Sequence, residues 1–245
     1  MALNHVKEMA KVFETYRYSH GVYTAFEDFL ELAAITISNS VDKANWERRE
    51  ERYMEVIKKY KKDEANTFAK LIALLTMAME HKPDDYLGRL FMELELYDSW
   101  KGQFFTTYDV AELMARMTLS DSVDDIKNNG NITVNEPTVG GGVTVIALFG
   151  AIRAKGFNAQ QVMRVVAQDI DKKAVHMTYV QLSLLGINAQ VLHGDTLLQE
   201  VSDVWRSPGY FFGWGHGDKL TCKSDSDVQV TSKLNQEEME QLSLF

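Results

Sequence analysis

The sequence predicts a mixed α/β protein: a helical region over residues 1–100, a partial parallel sheet over residues 101–216, and a polar tail over residues 217–245. Three observations predict it. Apolar residues recur at three- and four-residue spacing through the first region, which is the period of helices that pack on one another. Short hydrophobic runs farther on end in acids and are separated by helical patterns, as in a βαβ chain. The last stretch, Lys219 to Gln241, is rich in Ser, Asp and Lys and loses apolar periodicity, so it reads as a mobile tail.

In chain order, Met1 to Tyr18 alternates charged with apolar residues and lacks the uninterrupted hydrophobic core of a signal peptide. Helices are expected over Val22 to Ile37, Trp46 to Tyr60 and Ala65 to Met79, and Pro83 with Asp84-Asp85 opens another in the manner of N-terminal positions. The aromatics Tyr16, Tyr18, Tyr23, Phe26 and Phe29 suit a base-stacking platform, but their helical spacing favours core packing. Lys58, Lys59, Lys61 and Lys62, flanked by acids, read as a solvated helix face.

The run Ile132 to Val134 predicts a strand, and Glu136-Pro137-Thr138-Val139-Gly140-Gly141-Gly142 a turn into a long apolar helix. Glycines there let a ligand approach the backbone, and the helix N-terminus offers unpaired N–H groups and a positive dipole end to an anionic group. A second run, Val162 to Ala167, leads to Asp169, an acceptor suited to ribose hydroxyls. A third, Ala189 to His193, leads to Asp195, placed to meet a base. With Gly102 to Met114, these segments suggest a site for a nucleoside carrying a charged tail.

These segments resemble the S-adenosylmethionine-dependent N(6)-adenine DNA methyltransferases, especially the modification subunits of type I restriction systems, over roughly Asp84 to Tyr210. The resemblance implies a partial Rossmann-like methyltransferase domain. The family's G-Q-F-[FY]-T-P segment is matched by Gly102 to Thr107, with Thr107 in the place of proline, and implies that Phe105 and Thr106 contact the methionine end of the cofactor. Its D-P-x-C-G-S-G loop is matched by Glu136 to Gly142, its ribose-binding acid by Asp169, and its G-D-T-L segment by Gly194 to Leu197. The implied cofactor residues are therefore Phe105, Thr106, Glu136, Gly140, Gly141, Gly142, Asp169, Ile170, Asp195 and Thr196.

The family holds a flipped adenine with [DNS]-P-P-[YF], whose oxygens accept from the exocyclic amine while the ring stacks on the base. The nearest match is Ser207-Pro208-Gly209-Tyr210, preceded by Asp203-Val204. Glycine in place of the second proline loosens the turn, so the segment stands as a working, a degraded or a coincidental version of the motif. If it works, the Ser207 hydroxyl and Pro208 carbonyl hold the amine hydrogens and Tyr210 stacks. Alignment and electrostatics then carry the transfer. A sheet of this type normally continues for several strands beyond the catalytic one, whereas here the chain turns polar after about Gly215.

Gln241-Leu242-Ser243-Leu244-Phe245 resembles the Q-L-[SD]-L-F peptide by which bacterial proteins dock on the replication sliding clamp. Leu242, Leu244 and Phe245 would fill apolar pockets and Gln241 would bond at the rim; folding back on the body is the competing reading. Two functions therefore compete: an adenine methyltransferase acting on DNA, alone or with a completing or specificity subunit, and a non-catalytic adaptor that docks on the clamp.

Composition sets bounds. The net charge of −9 argues against binding DNA through the whole surface, although Arg153, Lys155, Arg164, Lys172 and Lys173 leave a local basic face open. One cysteine, Cys222, excludes an internal disulfide and a cysteine-based zinc site, and the six histidines show no paired metal spacing. No apolar run is long enough to span a membrane, and a cytoplasmic protein is expected; the family resemblance with its clamp-like peptide suits a bacterium, phage or plasmid.

Overall fold

The computed structural model describes residues 5–96 and 106–213. Phe105 and the peptide residues Gln241, Leu242, Leu244 and Phe245 lie outside them.

The helices come first. They are α1 (His5–Glu14), α2 (Val22–Val41), α3 (Trp46–Ile57), α4 (Lys62–His81) and α5 (Tyr86–Glu93). Their starts follow local chemistry. The Glu64 carboxylate accepts from the Lys61 N–H at 2.9 Å, returning to the backbone that opens α4. The Asp85 carboxylate accepts from the Gly88 N–H at 2.8 Å and caps α5, as the acid pair after Pro83 predicts. Tyr16, Phe26 and Phe29 are buried with Phe13 and Phe68, so these aromatics build the core of the helical region. Tyr18 is exposed and Tyr23 partly so. Lys58, Lys61 and Lys62 are solvated, and Lys59 pairs with Asp28 at 3.1 Å.

The second part runs α6 (Tyr108–Asn129), β1 (Ile132–Glu136), α7 (Val143–Ala154), α8 (Ala159–Val162), β2 (Met163–Asp169), α9 (Lys172–Leu184), β3 (Asn188–His193), β4 (Asp203–Arg206) and α10 (Pro208–Phe211). The four strands form one sheet in the order β1-β2-β3-β4. The first three are parallel, with Glu136 beside Ala167 and Asp169 beside His193, while β4 runs antiparallel to β3. The structure is thus a mixed α/β fold, with a helical region followed by a mostly parallel four-stranded sheet.

No break in packing separates the two parts. One hydrophobic cluster runs from Met9 and Phe13 through Leu90 and Ile146 to Val191 and Trp205. α9 is the shared element, packing on α2, α5, β2 and β3, and so its buried residues include Val175, Met177, Tyr179, Val180 and Leu182 from all around the helix. Two ionic seams reinforce the junction. The Glu31 carboxylate on α2 takes Lys172 at 2.6 Å and Arg52 at 2.8 Å; burial acts to raise this carboxyl, but those two bonds hold it at about 2. Arg49, itself buried, bonds Asp42 at 2.9 Å, the Ser38 hydroxyl and the Val204 carbonyl at 2.8 Å, and lies over the Trp205 ring.

Candidate functional site

The parallel arrangement of β1, β2 and β3 brings their carboxyl ends to one edge of the sheet, where open α/β sheets carry their ligands. Three of the expected segments meet there. The glycine turn follows β1, and the Gly140 N–H donates to Asp169 Oδ2 at 2.8 Å while the Asp171 N–H donates to Asp169 Oδ1 at 2.9 Å. A carboxylate offers about four acceptor sites, so ribose hydroxyls can still be accommodated. The Glu136 carboxylate accepts from the Thr144 hydroxyl at 2.9 Å, tying the end of β1 to α7. Thr196 donates to the Pro137 carbonyl at 2.6 Å, which draws the Gly194–Leu197 segment toward the glycine turn.

Beside this turn, Ile170, His193, Gly194, Asp195, Glu200, Val201 and Ser202 line an open cavity of about 500 Å³. Asp195 Oδ1 accepts from the N–H groups of Leu197 and Leu198, and Oδ2 accepts from none of the described residues. Ile170 is 66% exposed, an apolar face next to a carboxylate acceptor. His193 is held from both nitrogens, by Ser202 at 2.8 Å and by the Ile170 carbonyl at 3.2 Å, so it fixes this wall. The pairing of apolar surface with a free acceptor is what a purine with an exocyclic amine requires.

The glycine turn is held from below. Thr178 on α9 donates to the Gly140 carbonyl at 2.8 Å, and Gln181 Nε2 donates to the Gly141 carbonyl at 2.8 Å and to Asp85 Oδ1 at 2.8 Å. The Gln181 carbonyl in turn accepts the Leu87 N–H at 3.2 Å. A Cβ on Gly141 would stand 2.9 Å from Asp85 Oδ2, so that close approach demands glycine. Gly142 caps α7 with no side-chain acceptor, which leaves the first N–H groups of the helix open to a ligand. Thr106 lies at another wall, on a cavity of about 760 Å³ shared with Asp84, Asp85 and Gly88.

Sequence reading pointed to Asp85 as a helix start but missed its place under the glycine turn, and it missed Thr178 and Gln181. Their partners are dozens of residues away in sequence, and only the acid at a helix start was a local signal.

The described structure places Ser207, Pro208 and Tyr210 away from these segments, through the direction of β4. Because β4 runs antiparallel to β3, Asp203 sits beside His193 at the carboxyl end and the chain then descends, so that Ser207 pairs with Ala189. Four residues of strand, about 13 Å at ~3.3 Å per residue, separate Ala189 from His193. The Ser207 side chain is fully buried; it donates to the Ile187 carbonyl at 2.7 Å and accepts the Ala189 N–H at 3.0 Å and the Tyr210 N–H at 3.2 Å. It is the N-cap of α10, with Pro208 in the first turn, where proline is favoured. A Cβ on Gly209 would stand 2.7 Å from the Ile187 carbonyl oxygen, so glycine there serves packing. Tyr210 lies against the Arg206 guanidinium.

Among the described residues no cluster of His, Cys, Asp and Glu suited to a metal occurs, and no helix is long and apolar enough to cross a membrane. No curated protein matches the chain. The family model described as N-6 DNA Methylase matches residues 90–211, the span that holds the glycine turn, Asp169 and Asp195. The chain therefore belongs to the N-6 DNA methylase family, a family of adenine-specific DNA methyltransferases that use S-adenosylmethionine.

Proposed function

We propose that this chain binds S-adenosylmethionine at the carboxyl end of β1–β3 and takes part in methylation of the exocyclic amine of adenine in DNA. The observation that carries the reading is the convergence of the glycine turn, Asp169 and Asp195 on one sheet edge. In it, Asp169 holds the ribose hydroxyls, and Asp195 Oδ2 accepts from the adenine amine. Ile170 covers one face of the base. Glu136, Thr196 and Gly140–Gly142 keep the turn in shape, and Thr106 bounds the methionine end. When bound, the cofactor supplies an electrophilic methyl group on a sulfonium.

The groups that hold the target adenine come from outside the described residues. Ser207 is buried, and Pro208 and Tyr210 are half-buried, at the other end of the sheet, and the sequence has three prolines, Pro83, Pro137 and Pro208, none adjacent to another. A completing chain or specificity subunit is one source of these groups. Docking of Gln241, Leu242, Leu244 and Phe245 on a sliding clamp is a separate proposal carried by their sequence. Its test is pull-down by a bacterial clamp, which deletion of Leu244 and Phe245 should abolish without changing the melting temperature.

Calorimetric titration of S-adenosylmethionine, paired with tritium transfer to unmethylated DNA, tests the main reading. Saturable binding with no transfer by the chain alone is expected. Absence of binding overturns the cofactor role. Transfer that Ser207→Ala abolishes while the protein stays folded would return Ser207 to the chemistry.

A further inference from the structure

One polar group near the glycine turn has no role in the reading above. Asp85 is 3% exposed, and its Oδ1 takes both the Gly88 N–H and Gln181 Nε2, each at 2.8 Å. Its Oδ2 accepts no hydrogen bond from any described residue, and lies where a Cβ on Gly141 would be 2.9 Å away. Asp85, Gly88 and Thr106 together wall a cavity of about 760 Å³, and Asp85 is the residue that links it to the glycine turn. The neighbouring carboxylate, Asp84, is already neutralised by Arg89 at 2.6 Å. The other charges on the cavity are Lys7, Lys82, Glu93 and Asp109. A buried carboxylate with one oxygen unanswered, set against a roomy cavity, is a site for a cation or an ammonium group.

We infer that Asp85 binds the α-ammonium group of the cofactor's amino-acid tail, making the 760 Å³ cavity the seat of that tail. The inference rests on the proposed cofactor role. It deepens that role by assigning the counter-ion of the tail to a residue on α5, before the strands and outside the glycine turn. Burial raises the Asp85 carboxyl to about 6, against the bonds from Gln181 and Gly88. A cation beside Oδ2 favours the ionised form and relieves that cost. Gly141 and Gly88 make room for this carboxylate, because a Cβ on either would collide with Oδ2.

The test compares ligands with and without the tail. Wild-type protein and Asp85→Asn are titrated with S-adenosylhomocysteine and with 5′-methylthioadenosine, which keeps the nucleoside and thioether but lacks the amino acid. Asparagine retains the N-cap acceptor of α5, and melting temperature checks the fold. Asp85→Asn should weaken S-adenosylhomocysteine roughly ten- to hundredfold and leave 5′-methylthioadenosine within about twofold. Equal weakening of both ligands would make Asp85 a prop for the glycine turn and overturn the inference, as would no change in either. A second comparison needs no variant: with wild-type protein, the deaminated analogue of S-adenosylhomocysteine should lose about tenfold more affinity than the decarboxylated one. Equal losses, or a greater loss for the decarboxylated analogue, contradict the assignment. If neither S-adenosylhomocysteine nor 5′-methylthioadenosine binds the wild type, the cofactor role itself fails and takes the inference with it. If 5′-methylthioadenosine binds while the tail effects are absent, only the inference fails.

Discussion

The two ends of the sheet carry similar residues and use them in opposite ways. At the carboxyl end of β1–β3, Asp169 and Asp195 spend part of their hydrogen-bonding capacity on the backbone and keep acceptors available, beside exposed Ile170. At the other end, the β4–α10 corner commits the Ser207 hydroxyl to three backbone groups and buries it completely. A binding site must leave polar groups to be answered by a ligand, whereas a structural corner must answer them all itself. Between these two ends the helical region grips β4, through Arg49 on the Val204 carbonyl and the Trp205 ring.

The strongest challenge to this division is Arg49→Ala. It strips the charged partner from buried Asp42, which keeps only its bonds from Asn45, and frees β4, and should cost about 3–5 kcal/mol in urea unfolding at pH 7. A loss below about 1 kcal/mol would mean that the helices and the sheet are not locked through this residue. Ser207→Ala should cost about 2–3 kcal/mol, because it leaves the Ile187 carbonyl and Ala189 N–H without their partner, and cofactor affinity should stay unchanged in the folded fraction. A stable variant with lost affinity would move Ser207 to the other class.

The third effect is pH-dependent. Burial, aided by Lys172, lowers His176 to about 3, and its ring packs edge-on against Trp205 on β4. A folded-state value below the ordinary 6.5 favours the neutral form, so the stability it contributes is present above about 6.5 and is lost as pH falls toward 3. From pH 7 to pH 5 the wild type should lose roughly 2 kcal/mol that His176→Leu does not lose. Asp85 acts with the opposite sign. Its raised value of about 6 makes its ionised form costly to the fold, so its contribution improves as pH falls through 6. For that reason the His176 effect is read as the difference between wild type and variant, each unfolded in urea at both pH values.

Much of the fold was legible. Three- and four-residue spacing placed α2, α3 and α4 at Val22–Val41, Trp46–Ile57 and Lys62–His81, each within a few residues of expectation. The hydrophobic runs ending in acids gave β1–β3, and their helical connections fixed them as parallel, which carried Glu136, Asp169 and Asp195 to one end. The direction of β4 was not read, although a signal existed. Residues 194–202 link β3 to β4 without a helix, fewer than the dozen or so that a parallel crossover needs. That length predicts an antiparallel return, and with it the descent of Ser207 away from the ligand end. The supports of the glycine turn were illegible for another reason: Gln181 and Asp85 meet only after α9 and α5 have packed, and nothing in either local sequence specifies the other.

Calorimetric titration of S-adenosylmethionine into wild type, Asp169→Ala and Ser207→Ala, run side by side, measures the difference between the two ends in one quantity. Wild type and Ser207→Ala should bind alike, and Asp169→Ala should bind about 1–3 kcal/mol more weakly, the cost of a lost carboxylate contact. Equal affinity of Asp169→Ala and wild type, or a loss in Ser207→Ala as large as that in Asp169→Ala, would contradict the assignment of the ligand to the carboxyl end of the sheet.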